Sequence, residues 1–178
     1  MSGARHALPW ALLACVLAGC PLPQPLPAVE GNISVTPPRI LTESVRPSEV
    51  VVRVGSDCPE NAFIPFSAIL DDPDVEDIVE ARWFVDYAAG AAGVQQNDFP
   101  AASTDGTDTR RALADFRFFP GRYLAAVPHV VEVVVSNGFY AIGQDPIGAA
   151  QPNRTPQPSY ETQLFRWLVV YEAGGRCE

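Results

Sequence analysis

Val79-Glu80-Ala81-Arg82-Trp83-Phe84-Val85-Asp86-Tyr87 is the stretch whose reading decides the fold. Successive side chains of a strand point to opposite faces. Val79, Ala81, Trp83 and Val85 therefore share one face, and Glu80, Arg82, Phe84 and Asp86 share the other. That alternation predicts a half-buried β-strand.

Working outward, the same period recurs on both sides. Upstream lies Asp71-Asp72-Pro73-Asp74-Val75-Glu76-Asp77, five carboxylates in seven residues. Phe63 to Leu70 precedes it, an apolar strand with Pro65 inside. Proline cannot donate to a ladder, so Pro65 marks a bulge or an edge. Val50-Val51-Val52-Arg53-Val54 is strongly β-prone and is punctuated by Gly55-Ser56-Asp57. Ile33-Ser34-Val35 reads as a short edge strand stopped by Pro37-Pro38, and Ile40 to Val45 is ambiguous.

Downstream, Ala88 to Thr109 is rich in Ala, Gly, Ser, Thr and Asp and reads as a loop. Leu113 to Phe119 is a strand ended by Pro120-Gly121. His129 to Ser136 holds Val130-Val131-Glu132-Val133-Val134-Val135, and Asn137-Gly138 turns the chain. Gly143 to Ser159 has no periodicity; a loop of this length is functional or disordered. Thr162 to Glu172 is a long last strand. Phe165, Trp167 and Val169 lie on one face of it, and Leu164, Arg166, Leu168 and Val170 on the other. Both faces are largely apolar, which predicts a central, covered strand. About seven strands, many Pro/Gly turns and no amphipathic helix define an all-β, antiparallel sandwich.

The order of these strands carries a resemblance. A Trp-bearing strand closed by an Asp (Trp83-Phe84-Val85-Asp86), then a His-led strand (His129 to Ser136), then a long closing partner resembles immunoglobulin-like and polycystic-kidney-disease-like extracellular domains. It spans roughly residues 60–172. The resemblance implies that the Trp packs across the core and that the last two long strands pair. The chain departs from it in lacking a cysteine pair that flanks the Trp, and in its longer final connection.

The N-terminus carries a second resemblance. Arg5 is the only formal charge in the first nineteen residues, apart from any protonation of His6, and an apolar run from Leu8 to Gly19 follows. The run is shorter than the about 20 residues a membrane-spanning helix needs, and its pattern is that of a secretory signal. Leu17-Ala18-Gly19-Cys20 resembles the lipobox of bacterial lipoproteins. That resemblance implies cleavage before Cys20, a diacylglyceryl thioether on its sulfur and, as a rule, an N-acyl chain. Two or more acyl chains anchor a protein stably. The next residue is Pro21 rather than the Asp that resembles an inner-membrane retention signal, which leans towards the outer membrane. Pro21-Leu22-Pro23-Gln24-Pro25-Leu26-Pro27 then favours extended polyproline geometry and reads as a semi-rigid tether. The organisation expected is a signal peptide over residues 1–19, a lipidated Cys and tether over 20–31, and one sandwich domain over 32–178.

Composition excludes some classes. The net charge is −9, and all twelve basic residues are Arg. Such a chain is a poor partner for nucleic acid. Of four cysteines, Cys15 leaves with the leader and Cys20 takes lipid. Cys58 and Cys177 remain, an even pair in an oxidising compartment, and read as a disulfide. With no CxxC and no neighbouring His, they support neither a metal nor a redox site.

Three clusters could carry chemistry. Asp71, Asp72, Asp74, Glu76 and Asp77 could supply oxygens to Ca²⁺, although the spacing lacks the calcium-loop pattern and Pro73 stiffens it. The plainer reading is a solvated connection. His129 is the only histidine left after cleavage, and no Gly-x-Ser-x-Gly or His-Glu-x-x-His accompanies it. A structural role at the start of its strand is the expectation, and no catalytic residue is assigned. Phe139 and Tyr140, beyond the Asn-Gly turn, are the aromatic pair expected to be exposed for recognition. The expectation is a lipid-anchored envelope protein acting as a non-catalytic interaction or structural module, with a protein or polysaccharide partner in the envelope. A polysaccharide- or calcium-binding module is the alternative, and an envelope hydrolase the remaining one. No cofactor beyond the lipid on Cys20 is expected.

Overall fold

The computed structural model describes residues 36–88, 94–101, 110–125, 127–141, 144 and 153–177. Among the described residues eight strands form two sheets: β1 (Arg39–Ile40), β2 (Val51–Gly55), β3 (Ile64–Asp72), β4 (Val79–Val85), β5 (Gln95–Phe99), β6 (Arg110–Phe118), β7 (His129–Ser136) and β8 (Gln163–Glu172). One sheet has the order β1-β3-β6, the other β2-β8-β7-β4-β5. Among the described residues there is no α-helix, only the 3₁₀ turns Thr42–Ser44 and Pro120–Arg122. The chain is an all-β sandwich, as its patterning predicts.

The core lies between the inner faces. Trp83 stacks between Trp167 and Phe116, with ring centroids 6.0 and 5.5 Å away. Phe66 meets Trp167 edge-on at 5.1 Å. Val52, Val54, Val131, Val133 and Val169 fill the spaces between and are fully buried. Burying each large side chain of this kind contributes about 1.5–3 kcal/mol. Both indole N–H groups are satisfied: Trp83 donates to Asn97 Oδ1 and Trp167 to the Pro47 carbonyl, each at 2.8 Å.

Four expectations change. The pairing is not wholly antiparallel, because β2 runs parallel to β8 in the register Val51↔Leu168 to Gly55↔Glu172. The chain leaves β1, turns through Thr42–Ser44 and Pro47, and enters the other sheet in the direction of β8. β5 lies within the stretch read as a loop. Its Gln-Gln-Asn-Asp sequence has little strand propensity, yet Asn97 points inward to receive the Trp83 indole. β4 is not half-buried, since Arg82 and Phe84 on its outer face are 3% and 1% exposed. β8 is central but not covered on both faces, with Leu164 45% and Leu168 37% exposed. The expected edge strand over residues 33–35 lies outside the described residues.

Pro65 sits where an edge residue should. The backbone of Ser67 bonds Arg46 and the carbonyl of Ile69 accepts from Leu41, both on the β1 side of β3. Pro65 shares their parity, so its missing N–H falls on that side, beyond the last bridge.

Cys58 and Cys177 form a disulfide with Cα atoms 5.3 Å apart. It ties the C-terminal tail to β2, whose Gly55 N–H donates to the Arg176 carbonyl. Only glycine fits at 55, since a Cβ there would stand 3.0 Å from each sulfur and 2.9 Å from the Gly175 oxygen.

Candidate functional site

The outer face of the five-stranded sheet is divided. Its β4 and β7 half is covered by the chain that connects β7 to β8. Phe84, Val134 and Phe139 form a second apolar cluster there, with Tyr87 against it. Polar groups hold the covering chain in place. Gln157 donates its backbone N–H to the Gly138 carbonyl and its side-chain amide to the Phe139 carbonyl, both at 2.8 Å. Gly138 must be glycine, because a Cβ would lie 2.1 Å from the Tyr160 ring.

Arg82 is the centre of this cover. Its guanidinium lies 4.1 Å above the Phe139 ring. It donates to the Asn153 carbonyl at 2.7 Å and to the Tyr140 carbonyl at 3.1 Å. Nε and Nη2 also donate to Glu80 Oε2 at 3.1 and 2.8 Å. One cation thus binds carbonyls on two separate stretches of the β7–β8 connection, at Tyr140 and at Asn153. Four of its five N–H groups are committed, which makes it a clamp rather than a ligand-binding group.

A second charged knot lies one row along. Glu132, 4% exposed, stands opposite Phe84 on β4 and Arg166 on β8. It accepts from Arg154 at 2.9 Å and pairs with Arg166 at 3.3 Å. Arg154 also stacks on Tyr87, 3.8 Å from the ring centroid. Burial of a carboxylate is tolerable here because two guanidiniums face it.

The residues singled out in the sequence are dispersed. The acidic run points its carboxylates at different protein partners. Asp72 is buried against Arg110, Asp71 faces Arg111, Asp74 accepts from the Thr36 backbone and Asp77 from Asn137. Glu76 is exposed. Burial raises the Asp72 carboxyl above its ordinary value, and the bonds from Arg110 and the Asp74 N–H offset part of that. Among the described residues no three His, Cys, Asp or Glu side chains converge as a metal-holding set.

His129 is 5% exposed, with Tyr123 and Tyr171 rings 5.3 and 5.9 Å away. Its Nε2 lies 2.9 Å from the Leu124 carbonyl, which can only accept, so Nε2 carries a hydrogen. Nδ1 meets the Asp86 carboxylate, whose other oxygen accepts the Val130 N–H. These bonds hold Asp86 in the left-handed region at φ 52°. Both ring nitrogens are taken within a packed wall. Burial also raises the hydroxyls of Tyr123 and Tyr171 above their ordinary value.

Phe139 is not exposed for recognition: at 5% exposure it is the floor under Arg82, and Tyr140 is half-buried. The Asn-Gly turn folds the chain back over the sheet instead of projecting it. Arg82, Glu132, Asn153 and Arg154 were not singled out by sequence reasoning. The one available signal was Glu132 itself, a lone charge inside a run of valines.

Set against known proteins, the chain matches no protein family, no curated protein and no solved structure.

Proposed function

We propose that this chain is a bacterial lipoprotein whose sandwich serves, without catalysis, as an interaction or structural module of the cell envelope. The observation that carries the reading is the Cys58–Cys177 disulfide, which closes the domain across 119 residues. Such bridges persist in exported proteins and are rare in the cytosol. Export is what the lipobox at Cys20 and the proline-rich residues 21–27 imply; both lie outside the described residues. The grouping of strands supports an immunoglobulin-like class. β1, β3 and β6 stand as strands A, B and E do, and β4, β7 and β8 as C, F and G, with β5 as an added strand. A buried histidine with both nitrogens engaged favours structure over acid–base work.

A polysaccharide-binding reading has one observation in its favour. An open groove at the disulfide end is lined by Phe63, Pro59, Pro65 and Asn61. Next to it Arg117 and Arg122 lie 4.9 and 4.2 Å over the Phe63 and Phe119 rings. The test of the anchor is Cys20→Ser in the full chain. Release from membranes on fractionation supports it, and unchanged firm attachment refutes it.

A further inference from the structure

The groove at the disulfide end consists of two depressions that meet at one side chain, because Asn61 lines both. The first also holds Pro59, Phe63 and Pro65, the second Glu60, Phe119 and Arg122. The Phe63 and Phe119 rings are 5.9 Å apart, close to the length of one pyranose unit. Each ring carries a guanidinium. Arg117 stands opposite Pro65 across β6 and β3, and it lies 4.9 Å over Phe63. Arg122 closes the turn Pro120–Arg122 and donates its backbone N–H to the Phe119 carbonyl at 3.0 Å. Its guanidinium lies 4.2 Å over that ring.

The walls are set before anything binds. Cys58 is bridged to Cys177, and the Ala62 N–H donates to the Pro59 carbonyl at 2.9 Å. Gly121 comes so near that a Cβ there would lie 3.1 Å from the Glu60 Cα. A groove held in this way costs a ligand little ordering.

Two features say what it takes. The first is charge. Arg82, Arg110 and Arg154 are each committed to a carboxylate. Arg117 and Arg122 are exposed, and among the described residues neither lies within ion-pair distance of one. Stacking on a ring leaves the N–H edge of a guanidinium free. Glu60 is the one carboxylate among the described lining residues, so two cations against it make the groove net positive in a chain of net charge −9. A free guanidinium edge binds a carboxylate through two parallel hydrogen bonds. The second feature is the strand edge. An extended peptide cannot add to β3 here, because Pro65 has no N–H to give and lies beyond the last bridge. A sugar needs no backbone ladder. Its C–H face packs on Pro59 and Pro65, and its hydroxyls reach the exposed Asn61 amide.

Resting on the polysaccharide reading of this groove, we infer that it binds a glycan that carries carboxylates, with neighbouring acidic sugars setting theirs on Arg117 and Arg122. The site stands beside the protein contact of the module, not in its place.

The test is calorimetric titration of the full chain in detergent with hexamers of galacturonic acid and of mannuronic acid. Their methyl esters serve as neutral probes. The wild type binds at least one acid hexamer, binds its ester more weakly, and loses affinity with added salt. Arg117→Gln and Arg122→Gln each raise the dissociation constant about ten-fold, the loss expected for a charged hydrogen bond. Arg39→Gln, at an exposed arginine on β1, leaves it unchanged. Circular dichroism on the three variants confirms that they fold. No binding of either acid, or equal weakening by Arg39→Gln, overturns the inference. An ester bound as tightly as its acid overturns the acidic class and leaves the polysaccharide reading standing. Polyglutamate bound as tightly as the hexamers overturns the sugar assignment and gives the two arginines to an acidic protein.

Discussion

β8 presents two faces to different surroundings. On the inner one Trp167 and Val169 are wholly buried; on the outer one Leu164 and Leu168 are open. The sheet as a whole repeats the contrast. Its inner face is a layer of aromatic and β-branched side chains whose indole N–H groups have assigned acceptors. Half of its outer face is covered through charge, with Arg82 and Glu132 drawing the β7–β8 connection onto Phe84 and Val134. Cover built on apolar packing resists change in proportion to volume. Cover built on a few ionic hydrogen bonds stands or falls with single residues.

That difference can be broken at either side. Trp83→Ala removes the centre of the inner stack and should cost about 3–5 kcal/mol, read as a lower urea midpoint at unchanged m-value. Replacing Cys58 and Cys177 together by Ser should cost about 2–4 kcal/mol, measured the same way, while circular dichroism remains β-dominated. Arg82→Met keeps length and apolar contact but leaves the Tyr140 and Asn153 carbonyls and Glu80 without their donor. The expected loss is about 1–3 kcal/mol. Its signature should be local: hydrogen exchange speeds up at the Gln157 amide while the amides of β7 and β8 stay protected. Equal loss of protection in both places would show the cover and the core to be one cooperative unit.

The smallest effect concerns the carboxylate that ends the inward row of β3. Asp72 has its folded value raised by burial. Its contribution to stability is therefore fully present below the unfolded value of 3.8 and is lost as pH rises through the folded value. Asp72→Asn removes that slope. Urea melts from pH 3 upward should show the wild type losing stability with rising pH relative to the variant; parallel curves would remove the assignment.

Alternation made the inner face legible, because Val79, Ala81 and Trp83, all buried, and Val85, packed against them, recur with period 2. The outer face was not legible in the same way. Arg82 and Glu80 read as solvent-facing because a charge on a strand is so in most settings. Only a connection far along the chain, carrying Asn153 and Arg154, makes their burial affordable. β5 escaped for a related reason: its glutamines and asparagine serve Trp83 and the sheet edge, not a hydrophobic pattern. The two cysteines needed no three-dimensional information, since a pair with no CxxC and no neighbouring His left a disulfide as the economical reading. Phe139 misled because a turn signal fixes where the chain bends and not which side it falls to.

The measurement that tests the central claim most directly is crosslinking of the full-length chain in its native cells, followed by purification. A module that works by contact should be recovered with one protein partner in fixed stoichiometry, a second copy of itself included. Recovery of the chain alone, or with polysaccharide and no protein, would contradict the account.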